Sequence, residues 1–388
     1  MRILTIHNRY KFRGGEDESR EAEDRILTEK GHIVRELTFD NSTIVGIGIA
    51  WAGLSALWNP VAYREVQRSI REFRPDIVDV HNFFPLASPS VHYAARDLNV
   101  PVVQTLHNFR LLCPNAMFFR SGSVCRECTG HSIPWPAVVH RCYHGSAAQT
   151  SAVALMISLH RVLRTWRRAV SLFVCVSEFS KRQFVESNGF PTSRIVVKPN
   201  CVRDPGLTSY GGKDFVFVGR LAIEKGVRAM LEAMEIARIP ATLKIVGDGP
   251  LEGEVRAASA RNPRIEYLGR QPQDAVLNLL ARSKALIFPS ECYETFGRVA
   301  AEAYACGTPV IASNIGAVAE IVDHGRTGFQ YRPGDSRDLA KVMDYVSENP
   351  ALVAGMRTEA RREYELKYTP ERNYDLMLSA YNRAIANP

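Results

Sequence analysis

The sequence predicts an α/β protein built from two Rossmann-like halves. Short apolar runs rich in β-branched residues alternate with amphipathic stretches of helical length along most of the chain. This alternation begins twice, at MRILTIH (1–7) and at DFVFVGR (214–220). Between the two starts lies CVRDPGLTSYGGKD (201–214), dense in Gly, Pro and polar residues as a domain boundary is. A length of 388 residues suits two domains, each with its own core.

Composition narrows the class. Apolar residues make up 46% and charged residues 23%, the balance of a globular protein. MRILTIHN turns polar too quickly for a signal peptide, so a cytoplasmic setting is expected. There, eight cysteines are expected to be free or metal-bound rather than paired as disulfides. The net charge of +8 sits in one half. Residues 1–205 hold 26 Lys and Arg against 18 Asp and Glu, whereas residues 206–388 hold 23 of each. Such asymmetry points to membrane lipid, lipid-linked phosphate or nucleic acid facing the first half, with a plain basic surface as the competing account.

The first element is the strand 1–7, followed by Gly14–Gly15 and a charged helix from about 17 to 30, the start of a βαβ unit. The glycines leave bare backbone at the carboxyl end of that strand, where open parallel sheets bind ligands. No residue from 41 to 63 is charged. The run carries too many polar breaks for a span and predicts a helix–turn–helix broken at Asn59–Pro60, partly buried or dipping into a bilayer surface. Strands 75–85 and 100–108 end in His81–Asn82 and His107–Asn108. Both histidines are therefore expected at carboxyl strand ends.

Residues 109–150 interrupt the rhythm. Cys113, Cys125, Cys128 and Cys142 fall in the order C-x11-C-x2-C-x13-C, which matches a tetrahedral structural zinc site, and a loop this long needs a staple. Four free thiols or a redox-sensitive pair are the alternatives, and four thiolates would leave no open position for catalysis. A helix is expected over 147–169, with Arg161, Arg164 and Arg168 on one face beside apolar residues, a pattern suited to an anionic membrane surface or to solvent.

The second half repeats the alternation. GRLAIEKG puts Arg220 at a strand end and Lys225 one loop later, two cations where a diphosphate would lie. The stretch ALIFPSECYETFGRVAAEAYACGTPVIA (285–312) predicts strand, polar loop, helix from Phe296, and a second strand. The helix start offers unpaired N–H groups to an anion and Gly297 permits close approach, while Glu294 and Glu302 on either side can accept hydrogen bonds from hydroxyls. Phosphate between two hydroxyl acceptors describes a nucleotide sugar.

These segments resemble the retaining glycosyltransferases of family four, through the Glu-x7-Glu of PSECYETFGRVAAEAYACGTPVIAS together with GRLAIEKG and IVGDGP, and the resemblance runs over nearly the whole chain. It implies the GT-B fold, two Rossmann-like domains facing each other across a cleft. On that basis residues 1–205 form an acceptor-binding domain carrying the cysteine insert, 206–370 a nucleotide-sugar domain, and 371–388 a helix returning to the first domain. The resemblance implies that His107 contacts the donor sugar and that Arg220 and Lys225 meet the donor phosphates. It implies further that Glu294 holds sugar hydroxyls and Glu302 the ribose, and that Gly14, Gly15, Gly247, Gly249, Gly269, Phe296 and Gly297 line the donor. A branch of the family carries HNFRLLCPN-like sequence and the insert.

No Asp-x-Asp occurs in the chain, so no catalytic metal is expected and fixed cations must meet the departing diphosphate. The expected reaction moves a hexose from UDP- or GDP-sugar to a saccharide or lipid-linked acceptor at the inner membrane face. A sugar-nucleotide epimerase accounts poorly for the basic half. A zinc-stapled nucleic-acid binder leaves the donor pocket unexplained and lacks interleaved aromatic and basic residues, so no nucleic-acid partner is expected.

Overall fold

The computed structural model describes residues 1–10, 14–44, 48–187, 189–206 and 211–387. Residues 11–13 of the first glycine loop, 45–47 of the uncharged run and 207–210 of the linker lie outside the described residues. The chain divides into two compact units. One comprises Met1–Phe118, Cys125–Asn200 and Asn373–Pro388, the other Phe119–Val124 and Cys201–Arg372. The expected insert is thus shared: its hairpin, β5 (Phe119–Arg120) and β6 (Ser123–Val124), groups with the second unit.

In the first unit β1 (Arg2–Arg9), α1 (Gly15–Glu29), β2 (Ile33–Asp40), α2 (Ile49–Leu57), α3 (Pro60–Phe73), β3 (Ile77–Asn82), α4 (Ser90–Arg96) and β4 (Val102–Leu106) follow in turn. After the insert come α5 (Trp135–Val139), α6 (Ala147–Val162), α7 (Thr165–Arg168), β7 (Leu172–Cys175), α8 (Glu178–Glu186) and β8 (Ile195–Val197). The six long strands are parallel in the order β2-β1-β3-β4-β7-β8. Strand order reverses between β1 and β3, so their carboxyl ends open a crevice there.

Local chemistry sets the boundaries. Asn59 caps α3 by accepting from the N–H groups of Val61 (2.9 Å) and Ala62 (3.2 Å), and Pro60 opens the helix where no N–H is needed. The single helix expected over 147–169 is interrupted. Leu163 ends α6, and Arg164 takes a left-handed conformation (φ 54°) before the short α7. Arg161, Arg164 and Arg168 therefore do not share a helix face.

The second unit contains β9 (Phe215–Val218), α9 (Val227–Ile236), β10 (Leu243–Val246), α10 (Glu252–Arg261), β11 (Ile265–Gly269) and α11 (Gln273–Ala281). There follow β12 (Ala285–Phe288), α12 (Arg298–Ala305), β13 (Val310–Ser313), α13 (Val318–Ile321), β14 (Gly328–Tyr331), α14 (Ser336–Glu348) and α15 (Pro350–Lys367). Its parallel sheet runs β11-β10-β9-β12-β13-β14, the doubly wound order, with the reversal between β9 and β12. Phe215, Ile245, Ile287 and Ile311 from the strands pack with Met230, Leu339 and Met343 from the helices. The last helix, α16 (Pro370–Ala386), contributes Met377, Ala380, Tyr381 and Ala384 to the core of the first unit, against Ile3, Ile77 and Val103.

Candidate active site

The reversal in the second sheet sets the loops after β9 and β12 side by side. Gly226 is left-handed (φ 67°), and a Cβ there would lie 1.8 Å from the Pro289 carbonyl oxygen. Only glycine permits this approach, which the Glu291 N–H donating to the Glu224 carbonyl (2.9 Å) reinforces. The result is a direct pair: Lys225 Nζ lies 2.5 Å from Glu294 Oε1. Ser290 Oγ donates to the same oxygen at 2.6 Å, and Ser313 Oγ donates to the Ser290 carbonyl. Burial opposes both charges, but each partner's opposite charge outweighs it. Lys225 is held above its ordinary pKa and Glu294 below its own. The two sequence-predicted residues meet as a charged pair, 28% and 17% exposed, still open to a ligand.

Other residues predicted for this half divide by role. Gly247 (φ 134°) and Gly249 (φ 153°) would drive a Cβ to 1.9 Å from the Gly219 carbonyl and 2.5 Å from the Leu221 carbonyl. They let the loop after β10 fold onto the loop after β9, and the Gly247 N–H donates to Gly269 (2.9 Å). Arg220 stands exposed just past β9. Gly297 (φ 135°) precedes α12, which begins at Arg298, not at Phe296. The Phe296 ring is buried against Tyr368, at a centroid separation of 5.8 Å. Glu302 is buried one turn into α12, where Arg298 Nε and Gln273 Nε2 both donate to its Oε1 at 3.0 Å.

In the first unit, Gly14 caps α1 and its N–H donates to Asp17 (2.9 Å), while the other Asp17 oxygen holds His7 at 2.8 Å. Gly15 opens the helix. The Glu16 carboxyl beside them is pushed up to about 8 by burial, against the pull of the His81 charge. His107, just beyond β4, is reached from below. His81 Nδ1 stands 3.0 Å from His107 Nε2, His81 Nε2 is 3.3 Å from Asp79 Oδ2, and Tyr381 donates to that carboxylate oxygen at 2.5 Å. Lys198 donates to the neighbouring Glu23. Burial alone would strip the proton from His81, but Asp79 and Glu23 hold it on, raising its pKa. Burial and the His81 charge together keep His107 neutral. Sequence reasoning named His107 and missed its supports, because Glu23, Asp79, Lys198 and Tyr381 lie on different elements far apart in the chain.

Two family models tile the sequence. One described as Glycosyltransferase Family 4 matches residues 13–204, and one described as Glycosyl transferases group 1 matches residues 204–363. Together the two glycosyltransferase models match residues 13–363 of the chain. Glycogen synthase of Mycobacterium tuberculosis is 30% identical over 311 residues, covering 76% of this chain and 65% of that relative. The chain thus spans about 65% of the length of the curated relative. The 2-deoxystreptamine glucosyltransferase of Streptomyces kanamyceticus is 26% identical over 347 residues, 86% of this chain and 84% of its own. Among solved structures, Anabaena HepE in complex with UDP superposes with a TM-score of 0.72 at 19% identity, over 98% of this chain and 100% of the other. Sucrose-phosphate synthase of Thermosynechococcus elongatus gives 0.70 at 17% identity over the full length of both. At those identities the likeness establishes the shared fold.

None of the four insert cysteines is joined in a disulfide. Two residues tie them in pairs. Phe118 gives its carbonyl to the Cys125 N–H (2.7 Å) and a backbone hydrogen bond to the Cys113 sulfur, and Ala137 does the same for Cys142 (3.0 Å) and Cys128. Burial pushes Cys128 up to about 11, and the three other thiols add to the shift. The donor set fits zinc, whereas no three of these sulfurs lie mutually within 4.8 Å. Among the described residues the one cluster that close is Glu23, Asp79 and His81, where Lys198 and the imidazolium already supply the positive charge.

Proposed function

We propose that this chain transfers a hexose from a nucleoside-diphosphate sugar to a hydroxyl of a lipid-linked or other saccharide acceptor, with retention at the anomeric carbon. The observation that carries the proposal is the Lys225–Glu294 pair, held open at the strand-order reversal of the second sheet. Its ammonium supplies the fixed positive charge that a leaving diphosphate requires. Arg220 adds a second cation, and the N–H groups at Gly297 and Arg298 add a dipole. Glu294 accepts from sugar hydroxyls, and Glu302 is the ribose acceptor.

In the reaction the bond from the anomeric carbon to the phosphate oxygen breaks and a bond to the acceptor oxygen forms on the same face. The departing diphosphate takes the acceptor's proton, so no protein nucleophile is required. His107, neutral and donating from Nδ1, steadies the sugar. The HepE complexes with UDP and with UDP-glucose support a uridine nucleotide as donor. Thermal-shift titration against UDP- and GDP-sugars in chelator tests this. Stabilisation by one of them without divalent metal is expected. Indifference to every sugar nucleotide, or binding only with added divalent ion, overturns it.

The four insert cysteines are proposed to hold a structural zinc, which would staple the irregular segment between β4 and α6. Metal analysis of the purified chain should find one zinc, lost in Cys128→Ser. A folded, metal-free protein refutes that assignment.

A further inference from the structure

One side of the first unit inverts the usual order of burial. In α2 the small residues Ala52, Ser55 and Ala56 face inward, while Trp51 and Leu54 are 42% and 70% exposed. Gly53 is the contact with α6: a Cβ there would lie 3.7 Å from the Ala152 methyl. Folding in water places large apolar groups inside and leaves small ones to the surface, so this helix is oriented against its own hydrophobicity. It makes sense only if something apolar covers the outer face.

The inversion continues on its neighbours. α6, packed against α2, turns Leu155 and Val162 outward, 54% and 79% exposed, on one stripe at helical spacing. α5 also packs on α6 and exposes Trp135 (55%) and Val139 (65%). Three of the protein's four tryptophans are exposed in this region, Trp58 being the third. Large apolar side chains left exposed on three helices that pack together mark an interaction site. Charge selects the partner. Residues 41–63 carry no charge, and residues 128–177 carry five arginines without one Asp or Glu. Arg164, Arg167 and Arg168 are exposed at the end of α6. Tryptophan beside aliphatic side chains, with three exposed arginines following α6, is the composition of a surface that sits at the headgroup boundary of an anionic bilayer. No helix among the described residues is long and apolar enough to cross.

We propose that α2, α5 and α6 form a docking face that lies on an anionic lipid bilayer, inserting Trp51, Leu54, Trp135 and Val162 to headgroup depth while the arginines at 164, 167 and 168 pair with lipid phosphates. None of these residues is assigned to donor binding, so failure of the docking and failure of the transfer reaction are read separately.

The test is co-sedimentation of the full chain with vesicles of one part phosphatidylglycerol to two parts phosphatidylcholine, beside vesicles of phosphatidylcholine alone. Binding to the anionic vesicles is expected, with tryptophan fluorescence shifted to the blue. Leu54→Glu with Val162→Glu should abolish sedimentation. Each Arg→Ala at 164, 167 and 168 should weaken it about fivefold, and added salt should weaken it further. Unchanged UDP-sugar binding and circular dichroism show that the variants fold. Three outcomes overturn the proposal: equal binding to both vesicle types, binding unaffected by the glutamate variants, or no binding together with a concentration-dependent dimer in light scattering.

Discussion

His81 and His107 stack with ring centroids 5.2 Å apart, and His81 Nδ1 lies 3.0 Å from His107 Nε2. The carboxylates of Asp79 and Glu23 keep His81 doubly protonated, so it donates and His107 must accept. The remaining proton of His107 is then fixed on Nδ1. Nitrogen-15 NMR should report an imidazolium at His81 and the Nδ1–H tautomer at His107 at neutral pH. In Asp79→Asn the His81 signal should become that of a neutral ring.

The pair also shapes stability against pH. His107 is neutral when folded and His81 charged, on opposite sides of the unfolded value of about 6.5. Below that value the unfolded chain gains a proton that folded His107 refuses, so stability falls as pH falls. Above it, folded His81 retains a proton that the unfolded chain has released. Its contribution, complete below the unfolded value, is lost as pH rises through the raised folded pKa. Urea unfolding should therefore show the histidine-dependent stability peaking near pH 6.5, and Asp79→Asn should flatten its alkaline limb.

Lys225→Ala removes the cation opposite the leaving group. Turnover with the best sugar nucleotide should fall roughly a hundred- to a thousandfold. Lys225→Arg should recover part of it, because charge survives at altered geometry. Nucleotide release measured at saturating donor separates this loss from weaker binding. Wild-type turnover in Lys225→Ala would contradict the role.

Gly247→Ala would set a methyl within 1.9 Å of the Gly219 carbonyl, at a φ that alanine rarely adopts. A loss of at least about 2 kcal/mol in the second unit is expected by chemical denaturation. Donor affinity should fall with it, because the loops after β9 and β10 would be forced apart.

Tyr381→Phe deletes the hydroxyl that donates to Asp79 Oδ2. A hydrogen bond to a buried carboxylate contributes about 1.5–3 kcal/mol, and a midpoint shift of that order should appear in urea unfolding. Asp79 without its donor holds His81 at a different angle, so the His107 resonance should shift as well.

Some of this was legible in the sequence and some was not, for identifiable reasons. The strands follow from short apolar, β-branched runs such as Leu286–Ile287 and Val310–Ile311, whereas their order within each sheet is not written in any one run. The glycines at 247, 249 and 297 were singled out by the family resemblance, and the structure adds the positive φ angles that favour glycine there. The break at Arg164 was not, since neither Gly nor Pro marks it and an arginine occupies the left-handed position. The support beneath His107 was hidden too: Glu23, Asp79, Lys198 and Tyr381 carry no local pattern, and only the sheet and the last helix bring them together. The outward Trp51 of α2 was equally unreadable, because periodicity gives a helix two faces without saying which one is covered.

Met377, Tyr381 and Ala384 belong to the same core as Ile3 of β1 and Ile77 of β3. During synthesis, residues 1–200 leave the ribosome lacking part of their own interior, and the segment that completes it emerges only after the entire second sheet has been made. A nascent chain must therefore carry its first sheet with an open apolar face until the second sheet has been made, and a premature stop before Met377 would leave that face open for good.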